Sequence, residues 1–395
     1  MVENLVNVVD DSQPSPWADP LISPIPGVTL QMVSLRNAGR MTLRIATSGP
    51  KDGVPVMMMH GFPESWFSWR HQLVALGKAG FFAIAPDMRG YGHSDAPEQS
   101  ADYNCFQIAA DMIGLLQELG LRKAVLVGHD WGASLTWLLG RLFPAYFPVL
   151  AAFSVPTNLR KQHAPSTVEL FNKIFGTGED RLFWYQAYHQ ETFPGTLDHG
   201  PAEAEYDANI YDSIKRFWTD KTVGRARPLG PPISTRRRDG GMFAHSGPAP
   251  AELPTWLTAR DMEYVVEQFK HHGFRGGVNY YRNIHRNHLL TPHLVGHIVQ
   301  QPCLFLTGED DPVVAFGPGG IDGQQKRLHE TCKDLRKFVV LRCENEDGKR
   351  TAGHWIQQER PAEVNHYLLD FLHDTMDVFA AAQGAGHYGS CMARL

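Results

Sequence analysis

The chain has 395 residues, and its balance of 43% hydrophobic and 20% charged residues excludes a protein that is disordered throughout. Its formal net charge of −5 argues against a nucleic-acid partner, because nucleic-acid binders usually carry a strong basic excess. No run approaches the roughly 18 apolar residues of a membrane span, and the five scattered cysteines fit a reducing compartment, so we expect a soluble intracellular protein of one to three domains.

The first half of the chain alternates between strand and helix patterns. Residues 1–26 are rich in proline, serine and acidic residues, and we predict a loosely held tail there. The alternation that follows is typical of a mostly parallel sheet with helices on both faces. The predicted strands are at 28–35, 41–47, 54–59, 81–86, 124–127 and 149–155, and the predicted helices are at 67–78, 106–119 and 131–143.

A polar and aromatic stretch with helical patterns begins at Thr157 and interrupts this alternation. Strand patterns return only much later, so we predict a helical domain that separates two pieces of one core. The later elements are a helix at 261–271, strands at 303–306 and 337–341, and a closing helix at 361–379. The predicted domains are a core at 27–157 and 292–384, a helical cap domain at 158–291 and an extension at 385–395.

The sharpest local feature is the segment Gly128-His129-Asp130-Trp131-Gly132, which follows a strand and opens a helix. It has the form of a nucleophile elbow, in which small residues flank a nucleophile at a tight turn. Asp130 takes the place of the nucleophile, and the partial positive charge at the beginning of the helix favours its carboxylate. The alternative interpretation is that Asp130 only caps this helix.

The loop His60-Gly61-Phe62-Pro63 directly follows the strand at 54–59. In α/β-hydrolase folds a loop at this place supplies one backbone N–H of an oxyanion hole, and the residue after the nucleophile supplies the other. These positions correspond to Phe62 and Trp131. A plain turn is the alternative interpretation of the loop.

An acidic segment at 308–311 and His354 each follow a later predicted strand. The order along the chain is therefore nucleophile, acid and histidine, which is the order that α/β-hydrolases use. A lone acid or a lone histidine is more often structural. Three such residues in this order, each just after a strand, indicate a catalytic set.

A carboxylate nucleophile points to a particular chemistry. Asp130 can displace a leaving group at a saturated carbon and form an ester. His354, oriented by Asp311, can then activate water to hydrolyse that ester. The electrophile is an epoxide or an alkyl halide, and only the epoxide oxygen needs a proton donor. Tyrosine-containing segments at 183–188 and 277–283 hold suitable phenols.

Together these segments resemble the soluble epoxide hydrolase family over roughly residues 28–375. The matching motifs are at 60–66, 87–92, 128–132, 269–270, 273–276, 279–283 and 353–361. The resemblance implies an α/β-hydrolase fold, with a mostly parallel eight-stranded sheet flanked by helices and an inserted helical cap. It also implies an apolar epoxide substrate, a vicinal diol product, and no cofactor or metal.

The resemblance assigns the proton donors to Tyr185 and Tyr281. The acid aligns with Asp311, and Asp310 is the alternative. Tyr188 and Tyr280 are the neighbours most easily mistaken for the two donors. The residues that we expect to line the substrate pocket are His60, Pro63, Tyr188 and Trp355.

Two other functions remain open at this point. A haloalkane dehalogenase shares the aspartate elbow, but it commonly has asparagine where this chain has Phe62. A non-catalytic ligand receptor of the same fold would keep the pocket without turnover. The chain is expected to act as a monomer or a homodimer.

The last three residues, Ala393-Arg394-Leu395, resemble the C-terminal signal that a peroxisomal import receptor reads. We therefore expect a peroxisomal location, with the cytoplasm as the alternative. Together with the family resemblance, this address points to fatty-acid epoxides as substrates.

Overall fold

The structure is a computed structural model that describes residues 15–36, 41–162, 164–196, 198–219, 235–244, 249–315, 319–343 and 352–384. Its strands are β1 Thr29–Ser34, β2 Thr42–Ser48, β3 Pro55–Met59, β4 Phe82–Pro86, β5 Val125–His129, β6 Leu150–Phe153, β7 Val299–Gly308 and β8 Cys332–Leu341. They form one sheet in the order β1-β2-β4-β3-β5-β6-β7-β8.

The sheet is parallel from β4 to β8, and only β1 and β2 run antiparallel to their neighbours. Every residue of β3, β4, β5 and β6 is buried, as expected for parallel strands that are covered on both faces. The predicted α/β-hydrolase fold with eight strands is therefore confirmed.

Helices cover the sheet and fill the segment between β6 and β7, which we call the helical insertion. The helices before it are α1 Arg70–Lys78, α2 Cys105–Glu118 and α3 Trp131–Leu142. Those of the insertion are α4 Thr167–Phe175, α5 Tyr185–Tyr188, α6 Pro201–Asp207, α7 Ile210–Thr219, α8 Ala259–His272, α9 Arg275–Arg282 and α10 Ile284–Leu290. Those after it are α11 Pro312–Ala315, α12 Gly320–Thr331, α13 Ile356–Glu359, α14 Pro361–His373 and α15 Met376–Gly384.

Three predicted elements differ from the structure at the C-terminal side. The strand predicted at 337–341 begins earlier, as β8 Cys332–Leu341. The strand predicted at 303–306 begins earlier, and Pro302 is tolerated inside β7 because the pairing with β8 shifts register there. The closing helix predicted at 361–379 is two helices, α14 and α15. Thr375 lies at the break, where its hydroxyl donates back to the Phe371 and Leu372 carbonyls, a bond that bends or ends helices.

Buried polar contacts hold the helical insertion on the core. The indole N–H of Trp66 donates to the Tyr264 hydroxyl at 3.0 Å, and the Tyr280 hydroxyl donates to the Arg89 carbonyl at 3.1 Å. A Cβ added at Gly276 would lie 2.2 Å from the Gly90 carbonyl oxygen. The backbone of the first turn of α9 is therefore in direct contact with the backbone at Gly90. These contacts fix the place of α9, which carries Tyr281.

The extension at 385–395, with the signal-like Ala393-Arg394-Leu395, lies outside the described residues, and so does most of the predicted tail. The domain boundaries and the peroxisomal address stay predictions. None of the helices in the described ranges is both long and apolar enough to cross a lipid bilayer.

Two arginine–carboxylate pairs of the insertion allow a test of how it is held together. Arg282, with its side chain 4% exposed, donates from Nη2 to both carboxylate oxygens of the fully buried Glu203, at 2.8 and 2.9 Å. We expect Arg282→Met to lower the free energy of unfolding by about 3–5 kcal/mol, because it leaves a buried carboxylate without its cation. Urea unfolding followed by circular dichroism measures the change.

Arg238→Met is the matched control. The side chains of the Arg238–Asp180 pair are 57% and 74% exposed, and water screens such pairs strongly. We expect this variant to unfold close to the wild-type midpoint. Similar losses in the two variants would show that burial does not decide the strength of these pairs.

Candidate active site

The turn between β5 and α3 holds Asp130 in a conformation that few residues with side chains adopt, with φ of 52°. A Cβ added at Gly128 would lie 2.1 Å from the Gly132 carbonyl oxygen, and one added at Gly132 would lie 2.0 Å from that of Met59. Only glycine allows this approach. The Asp130 carboxylate makes no hydrogen bond that caps α3, so the capping interpretation is wrong.

The Asp130 carboxylate lies between the loop after β3 and a histidine. The Phe62 N–H donates to Oδ1 at 2.8 Å, and His354 Nε2 lies 3.5 Å from Oδ2. The Asp130 side chain is 14% exposed, so solvent reaches it. The Trp131 N–H begins α3 beside this carboxylate, but the described hydrogen bonds include none from it to the side chain.

His354 is oriented by Asp311. Its Nδ1 lies 3.1 and 3.2 Å from the two Asp311 oxygens, and the Val313 N–H donates to the same carboxylate at 2.9 Å. Asp310 faces another way and accepts a hydrogen bond from the Cys343 thiol. The geometry therefore favours Asp311 over Asp310 as the partner of the histidine.

The charges of His354 and Asp311 depend on each other. Burial alone would lower the pKa of His354, but attraction to Asp311 and Asp130 outweighs it and raises this pKa well above 6.5. Burial likewise opposes the Asp311 charge, yet His354 keeps the pKa of Asp311 below its usual value. These interactions favour the imidazolium form of His354 beside the Asp311 carboxylate.

A second buried chain, which the sequence did not indicate, supports His354 from behind. Glu64 Oε2 lies 2.8 Å from His129 Nδ1, and His129 Nε2 lies 2.7 Å from the His354 carbonyl oxygen. Burial would raise the pKa of Glu64, but His129 outweighs it and lowers this pKa to about 2. Both ring nitrogens of His129 thus lie within hydrogen-bond distance of an oxygen, and the chain holds the His354 backbone in place.

The Ser154 hydroxyl reaches the same carbonyl. It donates to the His354 oxygen at 3.0 Å from a backbone with φ of 67° at the end of β6. The sequence could have indicated this role only by the position of Ser154 at the end of a predicted parallel strand, a position that many serines without such a role share. The sequence also did not indicate the role of Glu64, since an acidic residue in a loop is normally solvated.

The Tyr185 and Tyr281 rings pack edge-on against each other, with ring centroids 6.0 Å apart. The Tyr281 ring also packs edge-on against Trp131 at 5.0 Å and against Phe62 at 5.5 Å. Burial, together with the negative charge of Asp130, raises the pKa of both phenols. Both therefore stay protonated at neutral pH and can donate a hydrogen bond.

The two neighbouring tyrosines have other partners. The Tyr188 hydroxyl lies 2.8 Å from Glu205 Oε2, and the Tyr280 hydroxyl donates to the Arg89 carbonyl. Tyr188 was expected to line the pocket, and this stays a prediction, but its hydroxyl is already bound to Glu205.

The other expected pocket residues divide between the site and its support. The Trp355 ring lies 4.9 Å from the His354 ring, and Pro63 accepts a hydrogen bond from Trp218 at 3.2 Å. His60 differs from the expectation, because its Nδ1 bonds the Gly61 carbonyl and its Nε2 accepts the Met88 N–H. With both nitrogens used, His60 holds the loop and offers no polar atom to a substrate.

The charge coupling leads to a test by titration. We expect Asp311→Asn to lower the pKa of His354, because the variant removes the nearest negative charge. Asp310→Asn, which changes the adjacent carboxylate, should leave that pKa close to the wild-type value. NMR titration of the histidine ring measures both, and equal effects would contradict the assignment of Asp311.

The raised pKa of His354 also determines how the stability of the folded protein changes with pH. A pKa raised by folding means that the imidazolium stabilises the protein fully below the unfolded pKa of about 6.5. This contribution is lost as the pH rises through the higher folded-state pKa. The wild-type advantage over Asp311→Asn should therefore shrink at alkaline pH.

The chain resembles known enzymes over most of its length. Residues 54–178 match the α/β-hydrolase fold family. Epoxide hydrolase A of Mycobacterium tuberculosis is 37% identical over 335 residues, which cover 84% of this chain and 94% of that protein.

Solved structures agree with this similarity. The crystal structure of epoxide hydrolase A from Mycobacterium thermoresistibile has 36% sequence identity to this chain and a TM-score of 0.73. The match covers 87% of this chain and 98% of the crystallised chain. The crystal structure of an epoxide hydrolase from Vigna radiata has 31% sequence identity and a TM-score of 0.74, and the match covers 89% of this chain and 100% of that chain. The chain therefore belongs to the epoxide hydrolase family of the α/β-hydrolase superfamily.

Proposed function

We propose that this chain hydrolyses apolar epoxides to vicinal diols through a covalent ester on Asp130. The observation that supports this most directly is the arrangement around that carboxylate. Asp130 lies on a strained turn, within 3.5 Å of His354 Nε2. The Tyr185 and Tyr281 rings pack edge-on, and the charge of Asp130 acts on both phenols. A nucleophile, a base for water and proton donors for the leaving oxygen are what the reaction requires.

In the first step an Asp130 oxygen attacks an epoxide carbon, and the carbon–oxygen bond of the ring breaks. Tyr185 and Tyr281 hold the epoxide oxygen by hydrogen bonds, and one of them gives it a proton as the bond breaks. The product is an ester between Asp130 and a hydroxyalkyl group. The phenolate that this step leaves recovers its proton from the His354 imidazolium before water attacks.

In the second step His354 activates water. Ester formation removes the charge of Asp130, which is one of the two carboxylates that raise the His354 pKa. His354 then gives its proton to the phenolate left by the first step, and the neutral imidazole, held by Asp311, acts as a base that takes a proton from water. Water attacks the carboxyl carbon of Asp130, the N–H groups of Phe62 and Trp131 stabilise the oxyanion, and collapse releases the diol.

The same elbow could serve a haloalkane dehalogenase, but the surroundings favour the epoxide. Phe62 offers a halide only its backbone N–H, which already binds Asp130. Tyr185 and Tyr281 offer O–H groups, which suit an oxygen that must gain a proton. Halide release from a chloroalkane without diol formation from any epoxide would reverse this ranking.

Variants of the nucleophile and of the base test the ester. We expect Asp130→Ala to abolish diol formation, since no other carboxylate adjoins His354 Nε2 in the described site. We expect His354→Gln to form the ester and fail to hydrolyse it, so intact-protein mass spectrometry should show an adduct on Asp130. Tight binding of epoxides with neither adduct nor turnover in the wild type would instead indicate a ligand receptor.

Tyrosine variants test the proton donors. We expect Tyr185→Phe and Tyr281→Phe each to lower kcat/KM for styrene oxide by roughly 10-fold or more, and the double variant to lower it by about 100- to 10,000-fold. Tyr188→Phe is the control, because the Tyr188 hydroxyl is bound to Glu205. A loss for Tyr188→Phe that equals the loss for Tyr185→Phe would contradict the assignment.

A further inference from the structure

His189 follows α5 and lies beside the proposed site. It is 1% exposed, and its ring centroid lies 4.3 Å from that of Tyr281, 5.7 Å from that of Tyr185 and 5.2 Å from that of Phe62. The histidine is thus in ring contact with both proposed proton donors and with the residue whose N–H binds Asp130. The mechanism above does not use it.

The imidazole of His189 is neutral. Burial among aromatic rings, followed by the nearby positive charge of Arg282, lowers its pKa to about 3. A neutral imidazole carries one N–H and one lone pair, so the two nitrogens have different roles. The hydrogen bonds of the ring decide which nitrogen holds the proton.

Tyr206 fixes the proton on Nδ1. Its hydroxyl lies 2.7 Å from His189 Nε2, and burial raises the pKa of this phenol, so the O–H is retained. When Tyr206 donates to Nε2, the ring proton stands on Nδ1. The opposite tautomer would leave both the Tyr206 proton and the Nδ1 lone pair without partners among the described residues.

The Nδ1–H has no acceptor in the described part of the chain, although it is buried. Buried donors are nearly always paired, and an unpaired one calls for a partner that the protein itself does not supply. The rings of Phe62, Tyr185 and Tyr281 contact the imidazole, so this unpaired N–H lies among aromatic side chains.

We propose that His189 recognises an oxygen acceptor on the substrate, so that the preferred epoxides carry an ether, hydroxyl or carbonyl oxygen close to the ring. This inference rests on the proposed function, since it takes the epoxide to lie at Asp130 between Tyr185 and Tyr281. The short distances from the His189 ring to both tyrosine rings restrict the acceptor to a few bonds from the epoxide. His189 thereby selects the substrate without taking part in bond breaking.

A matched pair of substrates tests this selection. Propyl glycidyl ether and 1,2-epoxyheptane have chains of equal length, and they differ by one oxygen in place of a methylene group. We expect the ratio of kcat/KM for the ether over the alkane to fall roughly 5- to 30-fold in His189→Phe, the range for one hydrogen bond to a donor that is otherwise unpaired. The ratio cancels a general loss of activity and the electronic effect of the ether.

Two further variants separate recognition from structure. His189→Asn keeps an N–H donor near the position of Nδ1 and should retain more of the ether preference than His189→Phe. Tyr206→Phe leaves His189 in place but removes the hydroxyl that holds the proton on Nδ1, so it should lower the ratio as well. Tyr206→Phe therefore tests the inference even if His189→Phe does not fold.

The outcomes distinguish this inference from the proposed function. If both substrates give diol and the ratio is the same in wild type, His189→Phe and Tyr206→Phe, the inference is refuted and the proposed function stands. Equal losses on both substrates also refute it, since they point to a structural role or to contact with the epoxide oxygen itself. If the wild type forms diol from neither substrate and His354→Gln traps no adduct, both proposals fall together.

Discussion

The backbone contact between the elbow and the end of β3 is the constraint on which the site depends. Gly132 approaches Met59 so closely that a Cβ would stand 2.0 Å from the Met59 carbonyl oxygen. Asp130 consequently takes a φ of 52°, a conformation that is unfavourable for a residue with a side chain and persists only because the surrounding packing enforces it. The result is a carboxylate that meets the Phe62 N–H instead of capping its own helix.

Two buried acids, Asp311 and Glu64, act on different parts of His354. Asp311 binds the imidazole ring and, with Asp130, raises its pKa. Glu64 reaches the backbone of the same residue through His129. One chain therefore sets the charge of the histidine and the other sets its place, and both need burial, because water would screen the charges and compete for the hydrogen bonds.

The helical insertion supplies the chemistry that the sheet lacks. Strand ends bring acids, a histidine and backbone N–H groups to one edge, but the proposed hydroxyl donors Tyr185 and Tyr281 come from α5 and α9. These helices keep their place through contacts with the core such as that of Gly276 with Gly90. Because an insertion can vary while the sheet stays the same, we expect it to decide which epoxides bind, and His189 lies where such a choice can be made.

The sequence by itself determined the sheet, the elbow and the order of Asp130, Asp311 and His354, because these signals are local: apolar runs, glycine spacing and position after a strand. Only the tertiary structure decided that the Tyr188 hydroxyl turns away to Glu205. It also decided that both nitrogens of His60 are used by the backbone. Such partners come from distant segments, and whether a buried polar group is paired depends on packing that no local pattern records.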